Sequence, residues 1–373
     1  MYNIIYLPYG LFFSFAFYIL FGNCIYMSNL SVISSQYISQ DAWEIAERMD
    51  IIDLHIDTFI PRRLFGYDLT KENKNWFLGR HFFTHLDIPR IRKNHLNGGM
   101  WSITTNPLRF ESSRWQIFCK NLDQLRQICT LSDEMMWVTN YREYQQAKKA
   151  NRHACMPSIQ GGNAISGGIS NIEEIAKDIT RITLVHLTNS IFGSTSSPHH
   201  IFRWNKGLTT KGKHLVELLN EHRIFVDLAH IHPKGFWDAI EIHNKSLPPI
   251  VTHTGVDGVN KHWRNLDNKQ LKAIVALDGV IGVIFAENFL QNRSTPSDGR
   301  MIIDHMEHII SVVGEDAVAI GTDLDGAIRP PKDVLVDPYP RLIQLMLDRK
   351  WTSDRIKKVL GNNALRCFKK LRP

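Results

Sequence analysis

Seven residues of this chain have the side-chain types and spacing of a metal-assisted hydrolytic site. His55 and Asp57 form a His-x-Asp pair at the end of the apolar run Ile51-Ile52-Asp53-Leu54-His55. Side chains alternate along a strand, so a pair spaced this way projects to one side. Gln160 follows Pro157-Ser158-Ile159 and precedes Gly161-Gly162, and His186 ends Ile182-Thr183-Leu184-Val185. His230 ends Val226-Asp227-Leu228-Ala229, His253 ends Ile250-Val251-Thr252, and Asp323 follows Ala319-Ile320-Gly321-Thr322. Imidazole and carboxylate donors together suit zinc. A lone strand-end histidine is ordinarily a hydrogen-bonded core or surface residue. Among the 17 histidines, His81, His85, His95, His199 and His200 are read that way. Four at the ends of apolar runs, with a His-x-Asp pair and a further aspartate, point instead to a metal constellation.

For these side chains to meet, the runs that carry them must be parallel strands opening on one face. The sequence supplies such runs at Ile51–His55, Gly99–Ile103, Ile182–His186, Ile224–Leu228, Ile250–Thr252, Val280–Ile284 and Ala317–Gly321. Helical patterns lie between them, for example Thr210–His222 and Asn268–Leu277, and Asp41–Met49 reads as a helix with Asp41 near its N-cap. Strands alternating with helices give parallel βαβ units. About eight such units predict an α/β chain folded as a (β/α)8 TIM-like barrel, with the metal site at the C-terminal ends of the strands. No GxGxxG opens a helix after a strand, which argues against a dinucleotide-binding fold.

The composition agrees. Of 373 residues, 43% are hydrophobic and 22% charged, which supplies a large core in an ordinary globular balance. The net charge of +7 is scattered in short clusters such as Arg90–Arg92–Lys93 and Lys357–Lys358 rather than in one stripe, so no nucleic-acid partner is expected. Five cysteines without CxxC spacing exclude a zinc-thiolate site and a full disulfide framework. Residues 1–27 read as a hydrophobic anchor or signal-like segment, since residues 4–26 carry no charge and are long enough to span a bilayer. Residues 28–50 read as a polar lead-in with a short helix, and 51–370 as the barrel. The expected location is membrane-anchored or exported, or cytoplasmic if translation starts at Met27.

The motifs resemble the membrane (renal) dipeptidase family. Asp-Leu-His55-Ile-Asp57 resembles its first-strand metal motif, and Ser-Ile-Gln160-Gly-Gly its Glu-Gly-Gly segment. Thr-Leu-Val-His186 resembles its substrate-contacting histidine strand, while Asp227-Leu-Ala-His230 and Val-Thr-His253-Thr resemble two further metal-ligand motifs. Arg264-Asn265 and Gly-Thr-Asp323-Leu-Asp325-Gly match its substrate-binding arginine and last-strand aspartate. The tail from Trp351 through Asn363 to Phe368 resembles its C-terminal helices. The resemblance implies a binuclear zinc site that hydrolyses small dipeptides, including those with a C-terminal D-residue, with zinc-bound hydroxide as the nucleophile. It places His55 and Asp57 on one metal, His230 and His253 on the other, and a bridging ligand at position 160. His186 would contact the substrate carbonyl, Arg264 its carboxylate, and Asp323 would move the proton. A homodimer is one option that the resemblance leaves open.

The chain departs from this family at the bridge. Gln160 stands where the family has glutamate, Asn163 where it has histidine, and Asn189-Ser-Ile-Phe-Gly lacks its loop tryptophan. A carboxylate offers an anionic oxygen to each of two metals, whereas an amide offers one neutral oxygen. The expected cofactor is therefore Zn2+, as one tight ion or two weaker ones. The alternatives are the same scaffold turned to another small amide or natural-product substrate, and a non-catalytic binding protein that keeps the pocket.

Overall fold

Nine short strands make one parallel sheet in this computed structural model, which describes residues 37–73, 83–106, 109–198, 207–291 and 297–373. They are β1 (Ile52–Ile56), β2 (Gly98–Thr104), β3 (Met135–Trp137), β4 (His153–Gln160), β5 (Arg181–Thr183), β6 (Phe225–Asp227), β7 (Ile250–Thr254), β8 (Val280–Val283) and β9 (Val318–Ile320). The order is β2-β1-β9-β8-β7-β6-β5-β4-β3, and β2 also pairs with β4 from Gly98↔Ala154 to Thr104↔Gln160. That pairing closes eight strands into the expected barrel. The ninth, β3, pairs only with the first residues of β4, on the edge that β5 takes up further along. Three residues without alternation gave β3 no signal in the sequence.

Strands this short and buried on both faces need apolar side chains outward, toward the helices, and a filled interior. Ile182, Val226, Val251, Ile281 and Ile320 are all fully or almost fully buried. The helices come from the intervening patterns: Glu111–Leu131, Thr210–Glu221, Pro233–Ile242, Arg300–Val313 and Pro338–Asp348 are the longest among the described residues. Helix Asn268–Ala276 starts on a capping box between Asp267 and Gln270. The first helix among the described residues, Gln40–Arg48, is capped by Ser39, whose Oγ accepts from the Ala42 amide. Asp41 sits inside its first turn, where a carboxylate complements the helix dipole. The last helix, Asn363–Leu371, closes the end opposite the site, with Phe368 against Phe225 and Asn363 Nδ2 donating to the Val318 carbonyl at the start of β9.

The segment expected to anchor or export the chain, residues 4–26, lies outside the described residues. Among the described residues no helix is long and apolar enough to cross a membrane.

Candidate functional site

The seven residues of the expected constellation, with Arg264, meet at the C-terminal mouth of the barrel. The four imidazoles form a continuous chain. Ring centroids of His55 and His253 are 3.9 Å apart, those of His253 and His230 4.9 Å, and those of His230 and His186 4.5 Å. The Nε2 atoms of His230 and His253 face each other at 2.8 Å. His55 Nε2 lies 3.6 Å from Asp57 Oδ1 and 3.5 Å from Asp323 Oδ1. Arg264 reaches the same place through Nη2, which donates to the His253 carbonyl at 2.8 Å.

The route by which the side chains arrive differs from the expectation in two cases. β5 ends at Thr183 and β6 at Asp227, so His186 and His230 lie three residues beyond their strands. His230, Asp323 and Asp325 all have left-handed backbones, with φ of 63°, 61° and 66°. In L-residues this costs about 1–2 kcal/mol each and persists where surrounding contacts over-determine it. Asp323 is held by its amide, which donates to the His55 carbonyl, and Asp325 by hydrogen bonds from Thr58 Oγ1 and the His85 amide. His85, read as a core residue, is one, and its Nδ1, which accepts from the Asp325 amide at 2.9 Å, joins the segment ahead of helix Ile88–Lys93 to the turn after β9. His95 takes no part in the pocket's contacts, while His81, His199 and His200 lie outside the described residues.

Gln160 is the last residue of β4 and pairs in register with Thr104 of β2. The next residue, Gly161, has φ +91°, and a Cβ there would lie 2.9 Å from the Cβ of His186. Only glycine permits this approach. The Gln160 amide, oriented by its partners, points its nitrogen at Asp57 Oδ2 (2.9 Å) and Oδ1 (3.2 Å), and its oxygen at His55 Nε2 (3.1 Å). It thus lies between the two members of the His-x-Asp pair.

Burial sets the electrostatics. It pushes the Asp57 carboxyl up to about 7, against the opposing pull of His186, Arg181 and Arg63. Burial and the Asp57 carboxylate together raise Asp323 well above the usual carboxylate range. Burial also lowers His186 to about 4, with Asp57 opposing, and holds His55, His230 and His253 well below 6.5. At neutral pH the imidazoles are therefore uncharged, the form in which they donate a lone pair to a metal. Burial lowers Arg264 to about 10, so it stays cationic.

Sequence reading missed the polar floor beneath these side chains. Arg181 is fully buried inside the barrel and donates to Ser102 Oγ (2.6 Å) and Ser158 Oγ (3.0 Å), with Nη2 3.2 Å from His55 Nδ1. Asp53 ties β1 to β9 by accepting from the Thr322 amide (3.0 Å), Thr322 Oγ1 (2.6 Å) and Tyr339 OH (2.8 Å). The available signal was a repeated dipeptide. Asp53-Leu precedes His55 and Asp227-Leu precedes Ala229-His230, and each aspartate accepts the amide two residues ahead.

The group His55, His253 and Asp323 offers ligand atoms all within 4.8 Å of one another. It cuts across the expected division into a His55/Asp57 half and a His230/His253 half.

A closed parallel barrel whose mouth gathers neutral imidazoles and carboxylates defines a barrel metallohydrolase. The chain belongs to the membrane dipeptidase family (Peptidase family M19), which matches residues 39–372. Its fold is similar to that of the dipeptidase AC, a metallopeptidase of family M19, at 22% identity and TM-score 0.76, covering 87% of this chain and 99% of that one. A metallopeptidase from Rhodobacter sphaeroides, liganded with a phosphinate mimic of the dipeptide L-Ala-D-Ala, is similar at 21% identity and TM-score 0.75, with 87% and 99% covered. An amidohydrolase from Pseudomonas aeruginosa is similar at 20% identity and TM-score 0.72, with 89% and 99% covered. At these identities the likeness carries the fold, and family membership carries the class of metallo-dipeptidases.

Proposed function

We propose that this chain is a zinc-dependent dipeptidase acting on small dipeptides, including those with a D-residue at the C-terminal position, and that Gln160 weakens its hold on a second metal. The carrying observation is the three-residue group His55, His253 and Asp323, whose donor atoms lie close enough for one ion. The donors fit: Asp323 Oδ1 is buried without a hydrogen-bond partner among the described residues, and the imidazoles are neutral. His55, Asp57, His230, His253 and Asp323 would hold the metal, with Gln160 adding a neutral oxygen at most.

Zinc, when bound, lowers the pKa of its water to about 7 and polarises a carbonyl. The remaining steps belong to the protein. Arg264 uses Nη2 on the His253 carbonyl and keeps a buried Nε–H without a partner among the described residues, which supports its role in binding the substrate carboxylate. His186, neutral and edge-on to His230, donates to the carbonyl oxygen as negative charge develops there. Asp323 accepts the proton released by the attacking water and delivers it to the leaving amine.

The test is metal content of the purified protein by elemental mass spectrometry, alongside hydrolysis of a panel of L,L- and L,D-dipeptides. Metal-dependent hydrolysis is expected. Protein that retains no metal, even after zinc is supplied, would defeat the reading. Metal without hydrolysis would turn it toward another small amide on the same site.

A further inference from the structure

The aspartate that opens the Asp227-Leu-Ala-His230 motif never reaches the pocket. It is fully buried at the end of β6, and its two oxygens are taken up by neighbouring strands. Oδ1 accepts the amides of Ala229 (3.1 Å) and Thr252 (3.0 Å). Oδ2 accepts the hydroxyls of Thr183 (2.5 Å) and Thr252 (2.8 Å), with Arg181 Nη1 3.4 Å away. A hydroxyl has one proton, and an anionic carboxylate is the stronger claimant for it. The lone pairs of Thr252 Oγ1 are then left for His253 Nδ1, 2.8 Å away. An acceptor at that point fixes the imidazole proton on Nδ1 and leaves the lone pair on Nε2, the atom that faces His230 across the pocket. His230 has no such acceptor among the described residues, where its Nδ1 is buried without a hydrogen-bond partner.

We infer that Asp227 and Thr252 are positioning residues that hold His253 in the tautomer and ring orientation needed to capture a metal ion, making it the organising ligand of its side of the pocket. The inference rests on the metallohydrolase reading above. Outer hydrogen-bond partners of this kind change metal affinity about 10–100-fold. Asp227 is unsuited to a first test, since its removal strips Arg181 of a buried counter-charge. Position 252 allows a cleaner comparison, because serine and alanine there differ by one hydroxyl.

The experiment compares wild type, Thr252→Ser and Thr252→Ala by zinc competition against a chromophoric chelator and by the visible spectrum of the cobalt-substituted protein. Thermal melting in chelator reports the fold separately. Thr252→Ser should match wild type in affinity and spectrum, whereas Thr252→Ala should bind about 10–100-fold more weakly with an altered cobalt spectrum. Equal zinc affinity in the serine and alanine variants would overturn the inference and leave the metallohydrolase reading intact. Failure of wild type itself to bind zinc or cobalt would overturn both.

Discussion

Replacing Gln160 by glutamate should raise zinc affinity and lower the stability of the zinc-stripped protein. The new carboxylate oxygen would stand where the amide nitrogen lies now, 2.9 Å from Asp57 Oδ2. At an effective dielectric constant of about 20, two like charges at that distance repel by about 6 kcal/mol. The same charge about 4 Å from a divalent ion gains about 8 kcal/mol. The difference of about 2 kcal/mol is the net gain in stability of the zinc-bound variant over zinc-bound wild type, so the more weakly held ion binds at least roughly 30-fold more tightly. The repulsion has its own signature, since without metal the variant should melt below wild type and with zinc above it. Chelated proteins would be titrated with zinc by calorimetry, with melting followed at each stoichiometry and dipeptide hydrolysis assayed at one and two equivalents. Two tightly bound zinc ions in wild type, with unchanged affinity in Gln160→Glu, would refute the reasoning.

Arg264→Lys should reduce kcat/KM on dipeptides by about 30–100-fold, because an ammonium cannot bond the His253 carbonyl and also offer a planar edge to a carboxylate; wild-type kcat/KM would remove Arg264 from substrate binding. Tyr339→Phe strips one of the partners of buried Asp53 and should cost about 1–3 kcal/mol in chemical denaturation. Acid should destabilise the fold through His153, whose Nε2 accepts from Trp101 Nε1 and whose Nδ1 faces the Leu96 carbonyl, a pairing open only to neutral imidazole. Burial lowers His153 to about 4 against 6.5 for the free side chain. Below pH 6.5 the unfolded chain takes up the proton first, so stability present above 6.5 falls as pH drops toward 4, by about 2 kcal/mol between pH 7 and pH 5. A pH dependence in His153→Gln equal to that of wild type would show that this histidine is not the sensor.

The sequence made the barrel legible because each apolar run ended on a residue with chemistry, and only parallel strands bring such ends together. The site residues were legible for the same reason. What stayed hidden depends on contacts between distant strands. Arg181, which the sequence shows only as a charge ahead of an apolar run, is fully buried, and the serines of β2 and β4 that receive it are distant in sequence. The positive φ of His230 and Asp323 was likewise hidden, since neither is glycine and the cause lies in bonds to other segments. β3 carried too few residues to show a period.

Asp53 joins its strand to Thr322, 269 positions later. During synthesis at about 5–20 residues per second, that bond has no partner for roughly 15–50 seconds after Asp53 is made. β1 can meet β2 early, but its other edge, apolar and unpaired, waits for β9. The nascent chain therefore carries an open strand edge until β9 has been made, and the pocket comes into being only once Asp323 has joined it.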